Sequence, residues 1–494
     1  MCFRRLYRKR YFKWLVFVFT AFVFWAVIGY LVSYEDEDFP DDVIYDIFID
    51  ETQDDHEHIP LDQEMLEELQ QLKTSKKYES MGANNITDPI ILWWTEFTGE
   101  PGKSRSCGQD RCFFTNNRNF RNHKHMKVFV FYGTDFNQKD LPLPRRQHHE
   151  WALFHEESPK NNFLLCHDDA LSLFNHTSTF RRESDFPITT QHLLSLEWLQ
   201  QSTYTKSTSQ KNRYQEKEGL APVVYVQSDC DPPSDRDTFV KQLMKFIPVD
   251  SYGTCLNNKQ LPQKLMSPLE GMAHKDFYEL LSHYKFVLAM ENAVCDDYIT
   301  EKLWRPLMVG AVPVVFGSPK VKDFLPSSES ALVITDFNST EYLAKHIQYV
   351  NHKDIEYDKL RQWKDAGVSN QLLQDTLSAR VWSPDDDKTW TPGHINFVEA
   401  FECFICKRVH ENLKRVSQGK EHIQHEANVN HYGCPKPMKF DEFGKYRKTP
   451  PRTDYWSSQW QQQKQAAEAM RECIGSEIPY CGDYKKSKNP KKDF

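Results

Sequence analysis

A chain of 494 residues, 39% hydrophobic and 27% charged, is long enough for about three domain-sized units, which excludes a mini-protein too small to bury a core. The absence of internal repeats and long low-complexity tracts excludes a repeat array, and a formal net charge of −8 points to no nucleic-acid partner. Composition by itself names no function.

The charge is unevenly placed. Arg4, Arg5, Arg8, Lys9, Arg10 and Lys13 precede an apolar run from Trp14 to Val32, and no further Lys or Arg follows until Lys73. Nineteen residues at about 1.5 Å rise each nearly span a hydrocarbon core of roughly 30 Å. The basic flank predicts a cytoplasmic tail over 1–13 and a single-pass type II signal anchor over 14–32. A cleaved signal peptide is the rival reading, but no small-x-small site follows the run. The rest of the chain is then expected in the lumen of the endoplasmic reticulum or Golgi.

Twelve Cys in such a compartment are expected to pair. Cys2 falls on the cytoplasmic side, so eleven remain and at least one stays free. Cys107 and Cys112 bracket a short polar loop, while Cys403, Cys406 and Cys434 form a late cluster; all five are disulfide candidates. His422, His425 and His431 nearby make zinc a rival reading, disfavoured because no second C-x-x-C completes a site. Asn85-Ile86-Thr87, Asn175-His176-Thr177 and Asn338-Ser339-Thr340 carry the N-glycosylation pattern, so Asn85, Asn175 and Asn338 are expected on the surface.

Residues 33–87 are acidic, with Glu35 to Asp38, Asp41-Asp42 and Asp54-Asp55, and read as an extended stem. Strand candidates Ile90–Trp94, Lys127–Phe131 and Trp151–Phe154 alternate with helix-sized segments, predicting an α/β domain over 88–205. Residues 206–219 lack an apolar period and read as a linker. Pro222–Gln227 opens a second α/β domain over 220–395, which continues through Phe286–Met290, Val312–Phe316, Ala331–Thr335 and a helical pattern around Glu341–Val350. Residues 396–494 form a Cys- and Pro-rich extension with a basic tail.

The most informative stretch runs from Lys285 to Pro319. Phe286–Met290 and Val312–Phe316 are the continuous apolar runs of strands buried on both faces. Glu291 and Asn292 sit at the carboxyl end of the first strand, the edge where open α/β sheets bind ligands. In the helix expected between the strands, Tyr298, Glu301, Lys302 and Arg305 share one face; a solvated Glu301–Arg305 ion pair explains that face as well as a site does.

The order Glu291, Asn292, Asp297, Tyr298, Ile299, Thr300, Glu301, Lys302, Leu303, Trp304, followed by Gly310-Ala311-Val312-Pro313-Val314-Val315-Phe316-Gly317, resembles the donor-binding signature of the α-1,3-fucosyltransferase family. Many members carry His where Cys295 stands. Three upstream stretches are similar to the same family: His155-Glu156-Glu157-Ser158-Pro159, Phe174 to Asp185, and Gln227 to Arg236. The resemblance implies an α/β, GT-B-like fold in which two Rossmann-like domains face a cleft. It also implies an inverting, in-line transfer of fucose from GDP-β-L-fucose.

By that resemblance Glu157 is the general base, with Glu156 pointing to the opposite face if the segment is extended. Arg236 and Lys302 would neutralise the diphosphate, and Glu301 would face the positive charge developing on the fucose ring. Tyr298, Asn292 and Glu291 would shape the donor pocket, Tyr252 and Lys285 are further donor-site candidates, and Arg181, Arg182 and Asp185 would line or support the acceptor side. Asp229-Cys230-Asp231 has the D-x-D spacing of metal-dependent enzymes and is the rival reading of its loop; the expectation is that no metal or other cofactor is required.

Phe131-Tyr132-Gly133-Thr134-Asp135 stands where Lewis-antigen-forming members carry a His-His-aromatic element, and the C-terminal extension is longer. Both features look like the family's divergent branch, which includes protein O-fucosyltransferases. The expected acceptor is a glycoprotein, through either a GlcNAc 3-OH or a Ser/Thr of a folded domain. An inactive donor-binding lumenal chaperone or retention protein is the alternative, and the joint presence of Glu157, Arg236, Glu301 and Lys302 argues against it.

Overall fold

Two largely parallel sheets, with side chains alternating between their faces, build the fold. The computed structural model describes residues 86–97, 102–267, 271–272, 274–382 and 397–475. The apolar run 14–32, the stem up to residue 85, Asn85 and the basic tail lie outside the described residues. Among those described, no helix is long and apolar enough to cross a membrane.

The first half holds β1 (Ile90–Thr95), β2 (Lys103–Cys107), β3 (Asp110–Thr115), β4 (Met126–Tyr132), β5 (Glu150–His155) and β6 (His176–Thr179). Their order is β2-β3-β1-β4-β5-β6, parallel except for the antiparallel β2–β3 hairpin. Ile90, Leu92 and Trp94 enter one core while Ile91 and Trp93 enter the other, so β1 is covered on both faces.

Before the second half, residues 206–219 form a helix rather than the expected linker: α1 spans Thr208–Glu218. Ser207 and Gln210 make a reciprocal capping box, and Gly219 ends the helix in the left-handed conformation at φ 65°. The apolar period is missing because the helix buries a lysine. Lys211 donates from Nζ to the carbonyl oxygens of Ser282 and Tyr284, and burial lowers its pKa well below the ordinary lysine value.

The second half holds β7 (Val223–Gln227), β8 (Val249–Gly253), β9 (Phe286–Met290), β10 (Val312–Phe316) and β11 (Leu332–Val333), all parallel in the order β11-β10-β9-β7-β8. Phe286, Leu288 and Met290 face one core and Val287 and Ala289 the other. Helix α2 (Arg236–Leu243) follows β7, α3 (Glu301–Met308) joins β9 to β10, and α4 (Thr340–Asn351) follows β11.

The C-terminal extension ties both halves together. Helix α5 (Phe397–Ser417) carries Cys403 and Cys406 one turn apart on one face, and they bond Cys107 and Cys112 of the β2–β3 hairpin. Cys107 and Cys112 therefore do not close their own loop. Cys434 bonds Cys295 in the loop after β9. A further pair, Cys230–Cys255, closes the loop after β7, and Cys166 is a buried free thiol. With Cys403, Cys406 and Cys434 all oxidised, the zinc reading of the cluster loses its thiolates. The hairpin β12 (Lys439–Phe440) and β13 (Tyr446–Lys448) seats Phe440 against Phe239 and Phe316 of the second half. Helix α6 (Tyr455–Gly475) returns to the first half, burying Ala467 and Met470 in its core.

Asn338 is exposed, as an acceptor for a glycan must be. Asn175 is not: its side chain accepts from Trp151 N at 2.9 Å and from Arg145 Nη2 at 2.7 Å, and donates to His425 O at 2.8 Å. Both lone pairs of the amide oxygen and one of its two N–H groups are bonded inside the fold, and the side chain is buried, so Asn175 is held as a structural residue rather than presented to a glycan.

Candidate active site

Beyond the carboxyl ends of β7 and β9 lies a cavity of about 510 Å³. Leu265, Phe277 and Leu281 form an apolar wall, while Arg236, Asn292, Glu301, Lys302 and Arg305 supply polar groups. An apolar chamber with a few convergent polar groups at this edge suits a nucleotide-sized ligand.

Thr300 caps α3, its hydroxyl accepting from Lys302 N at 3.4 Å. Glu291 in turn accepts the Thr300 N–H at 2.7 Å and lies buried, and burial raises its pKa. Its approach to the end of β10 requires glycine, since a Cβ on Gly317 would stand 2.6 Å from Glu291 Cγ. Glu291 is thus a holder of the helix start. The helix begins at Glu301, so Tyr298 lies before the cap rather than on the helical face expected for it; its hydroxyl donates to Asn292 Oδ1 at 3.2 Å.

Glu301 and Lys302 are coupled. Lys302 Nζ stands 3.1 Å from Glu301 Oε1 and 3.7 Å from Glu291 Oε2, and Arg305 Nη1 is 3.7 Å from the same Glu301 oxygen. The Glu301–Arg305 ion pair read from the sequence therefore exists, and it lines the cavity. Burial opposes the Glu301 charge, but Lys302 and Arg305 outweigh it and hold the carboxyl well below the usual range. Burial likewise opposes the Lys302 charge, and Glu301 and Glu291 outweigh it in turn. Arg236 is fully buried, donating to Met290 O at 2.9 Å and Asp229 O at 2.7 Å while its Nε has no partner among the described residues. The Asp229 carboxylate pairs with Lys160 and lies 3.8 Å from Arg236, and Cys230 beside it is in a disulfide.

Across the cleft, β5 ends at His155-Glu156-Glu157-Ser158. Glu157 is exposed, accepting from Ser158 N at 3.3 Å. Ser158 Oγ donates to Asn292 Oδ1 at 2.6 Å, joining the two halves at this point. His155 is buried against the Tyr432 ring at 4.8 Å, and a Cβ on Gly133 would lie 2.3 Å from its Cγ. That contact accounts for glycine in the Phe131–Asp135 element. Glu156 turns inward as alternation requires, one oxygen accepting from Tyr132 Oη at 3.2 Å and the other without a partner among the described residues.

Burial, then the neighbouring Glu157 charge, pushes the Glu156 carboxyl up to about 7. The folded state holds this proton more tightly than the unfolded chain does. The stability it confers is complete below the ordinary carboxyl value of 4.5 and is lost as pH rises through about 7. Glu156→Gln is expected to flatten the fall in unfolding free energy across that window in denaturant titrations; an unchanged slope would show the carboxyl already ionised throughout it.

The other expected site residues lie elsewhere. Lys285 stands at the amino end of β9, opposite the ligand edge, donating to Asn351 O at 2.7 Å and Asp354 Oδ1 at 3.1 Å. Tyr252 pairs its hydroxyl with Tyr284 Oη at 2.9 Å, inside the second core and outside the cavity wall. Arg182 and Asp297 join the halves: Arg182 Nη2 reaches Asp297 Oδ1 at 2.7 Å and Asp323 Oδ2 at 2.8 Å, and its Nε donates to Asp297 Oδ2 at 3.0 Å. Arg181 donates to Gly433 O at 3.3 Å, and Asp185 accepts from Thr177 N at 3.0 Å and Arg408 Nη2 at 3.0 Å. None of the three lines the donor-side cavity. His192 lies outside every stretch that the sequence marks as a site. It sits on a first-half loop with Nδ1 3.9 Å from Glu301 Oε2, and an isolated His in T-T-Q-H-L carries no sequence signal for that position.

The profile described as glycosyltransferase family 10 (fucosyltransferase) C-term matches residues 214–426, and that described as fucosyltransferase, N-terminal matches 86–191. GDP-fucose protein O-fucosyltransferase 3 of Gallus gallus is 46% identical over 407 residues, covering 82% of this chain and 84% of that protein. The Homo sapiens protein of the same name is 48% identical over 387 residues, covering 78% and 79%. A crystal structure of an alpha1,3-fucosyltransferase with GDP-fucose is similar at 18% identity and TM-score 0.34, over 63% of this chain and 82% of that one. The two profiles fall on the two α/β halves, and with relatives of this identity and span the chain belongs to glycosyltransferase family 10, the fucosyltransferases.

Proposed function

We propose that the protein transfers fucose from GDP-β-L-fucose to a Ser or Thr hydroxyl of a folded protein domain, with inversion at the anomeric carbon. The observation that carries the acceptor class is the 46–49% identity to GDP-fucose protein O-fucosyltransferases over about four fifths of the chain. The cavity supports the donor: a cationic pair, Arg236 and Lys302, beside an apolar wall of nucleotide size.

In this reading the acceptor oxygen forms a bond to the fucose anomeric carbon as that carbon's bond to the diphosphate breaks. Glu157, exposed at the cleft, takes the acceptor proton; GDP leaves with the bonding electron pair, and Arg236 and Lys302 stabilise its charge. Glu301, held ionised by Lys302 and Arg305, faces the positive charge of the sugar. The Asp229 carboxylate is engaged by Lys160 and Arg236, which favours cationic side chains over a D-x-D metal site. We place the reaction in the lumen of the endoplasmic reticulum or Golgi, with residues 14–32 as a type II membrane anchor; the disulfides among the described residues, such as Cys107–Cys403 and Cys295–Cys434, support this.

The test is to incubate the protein with labelled GDP-fucose and both folded-domain and glycan acceptors, with and without chelator. Alkali-labile label on Ser or Thr is the expected result. Label on GlcNAc would move the acceptor to glycans, loss with chelator would restore the metal reading, and GDP-fucose binding without transfer to any acceptor would favour a donor-binding chaperone. Lys302→Ala is expected to weaken GDP binding about 10- to 100-fold by calorimetry, the range for a hydrogen bond to a charged group. Unchanged affinity would remove Lys302 from the diphosphate site.

A further inference from the structure

The two oxygens of Glu301 are held unequally. Oε1 faces both cations of its own half, Lys302 Nζ at 3.1 Å and Arg305 Nη1 at 3.7 Å. Oε2 faces the other half, where His192 Nδ1 stands 3.9 Å away. That separation is too long for a direct hydrogen bond and short enough for one hydroxyl oxygen to bond both groups at once.

His192 is presented by a fixed loop. Gln191 Nε2 donates to Glu156 O at 3.1 Å, and Leu193 is fully buried in the core of the second half. Thr190 sits at φ 66°, costly for a β-branched residue, and Arg380 Nη2 holds its carbonyl at 2.7 Å. Between these anchors the His192 side chain is 37% exposed, and Glu301 is its polar neighbour across the cleft. Partial loss of hydration lowers its pKa against the raising charge of Glu301, and a neutral imidazole offers one donating and one accepting nitrogen.

We propose that His192 is a sugar-binding residue of the donor site, its Nδ1 and Glu301 Oε2 together holding one ring hydroxyl of the transferred deoxyhexose. The second half alone would bind the nucleotide, and the first half would complete the pocket for the sugar. This rests on the reading of the cavity as the sugar-nucleotide site. The hydroxyl donates to Glu301 Oε2 and accepts from Nδ1–H, which orients the ring from the side opposite the diphosphate cations.

GDP and GDP-fucose differ only in that sugar, so calorimetry with both separates the sugar contact from the rest of the site. His192→Ala is expected to weaken GDP-fucose binding about 3- to 10-fold, with GDP affinity unchanged within about twofold. His192→Asn, whose amide occupies the Nδ1 position, should recover most of the loss. In steady-state assays the donor KM should rise and the acceptor KM stay constant. Equal losses for GDP and GDP-fucose, no loss for either, or an effect confined to the acceptor KM would each overturn the assignment. If the unsubstituted protein bound neither ligand, the donor-site reading itself would fall, independently of His192.

Discussion

Glu157→Gln is expected to lower kcat by about 10²- to 10⁴-fold, while GDP affinity stays within about twofold of the parent. The substitution keeps shape and removes only the capacity to take a proton. The backbone that positions residue 157 depends on other groups: Tyr432 Oη donates to the Glu157 carbonyl at 3.3 Å, and Ser158 Oγ donates to Asn292. A folded, GDP-binding and nearly inactive variant is thus the predicted combination, measured by calorimetry and initial rates with saturating acceptor. Full turnover in Glu157→Gln together with its loss in Glu156→Gln would transfer the role to the buried neighbour.

The second large effect is structural. Arg182→Ala is expected to cost about 3–5 kcal/mol of stability, near the lower end because Arg182 is 28% exposed while Asp297 is fully buried. The loss comes from leaving the Asp297 carboxylate without the guanidinium that neutralises it. Arg182→Lys should rescue little, since a single ammonium cannot reproduce a fork that reaches Asp297 and Asp323 together. Adding Asp297→Asn to Arg182→Ala should restore part of the stability by removing the orphaned charge. Denaturant midpoints measure both, and a change below about 1 kcal/mol would mean the pair is solvated like a surface ion pair.

How the halves are joined separates legible from illegible sequence. Arg182, Asp297, Ser158 and Asn292 all belong to stretches that resemble the family, yet a motif says only that residues occur in order. All three acceptor-side candidates take partners from far along the chain, Gly433 for Arg181, Asp297 for Arg182 and Arg408 for Asp185. Lys285 illustrates the converse. It lies one residue before a strand whose other end carries the site, and a strand places its two ends on opposite edges of the sheet.

Spacing along the chain carries the local structure and the chemistry of neighbouring residues. Continuous apolar runs located β9 and β10, alternation separated Glu156 from Glu157, and the ordered motif brought Glu301 and Lys302 to one cavity. These follow from short-range periodicity, which the chain carries in its own spacing. Tertiary structure alone decided the disulfide partners, the burial of Asn175, the helix around buried Lys211 and the approach of His192 to Glu301. Each depends on groups from 24 to 296 residues apart meeting in space, as Trp151 with Asn175 and Cys107 with Cys403 do, and no spacing along the chain encodes that meeting.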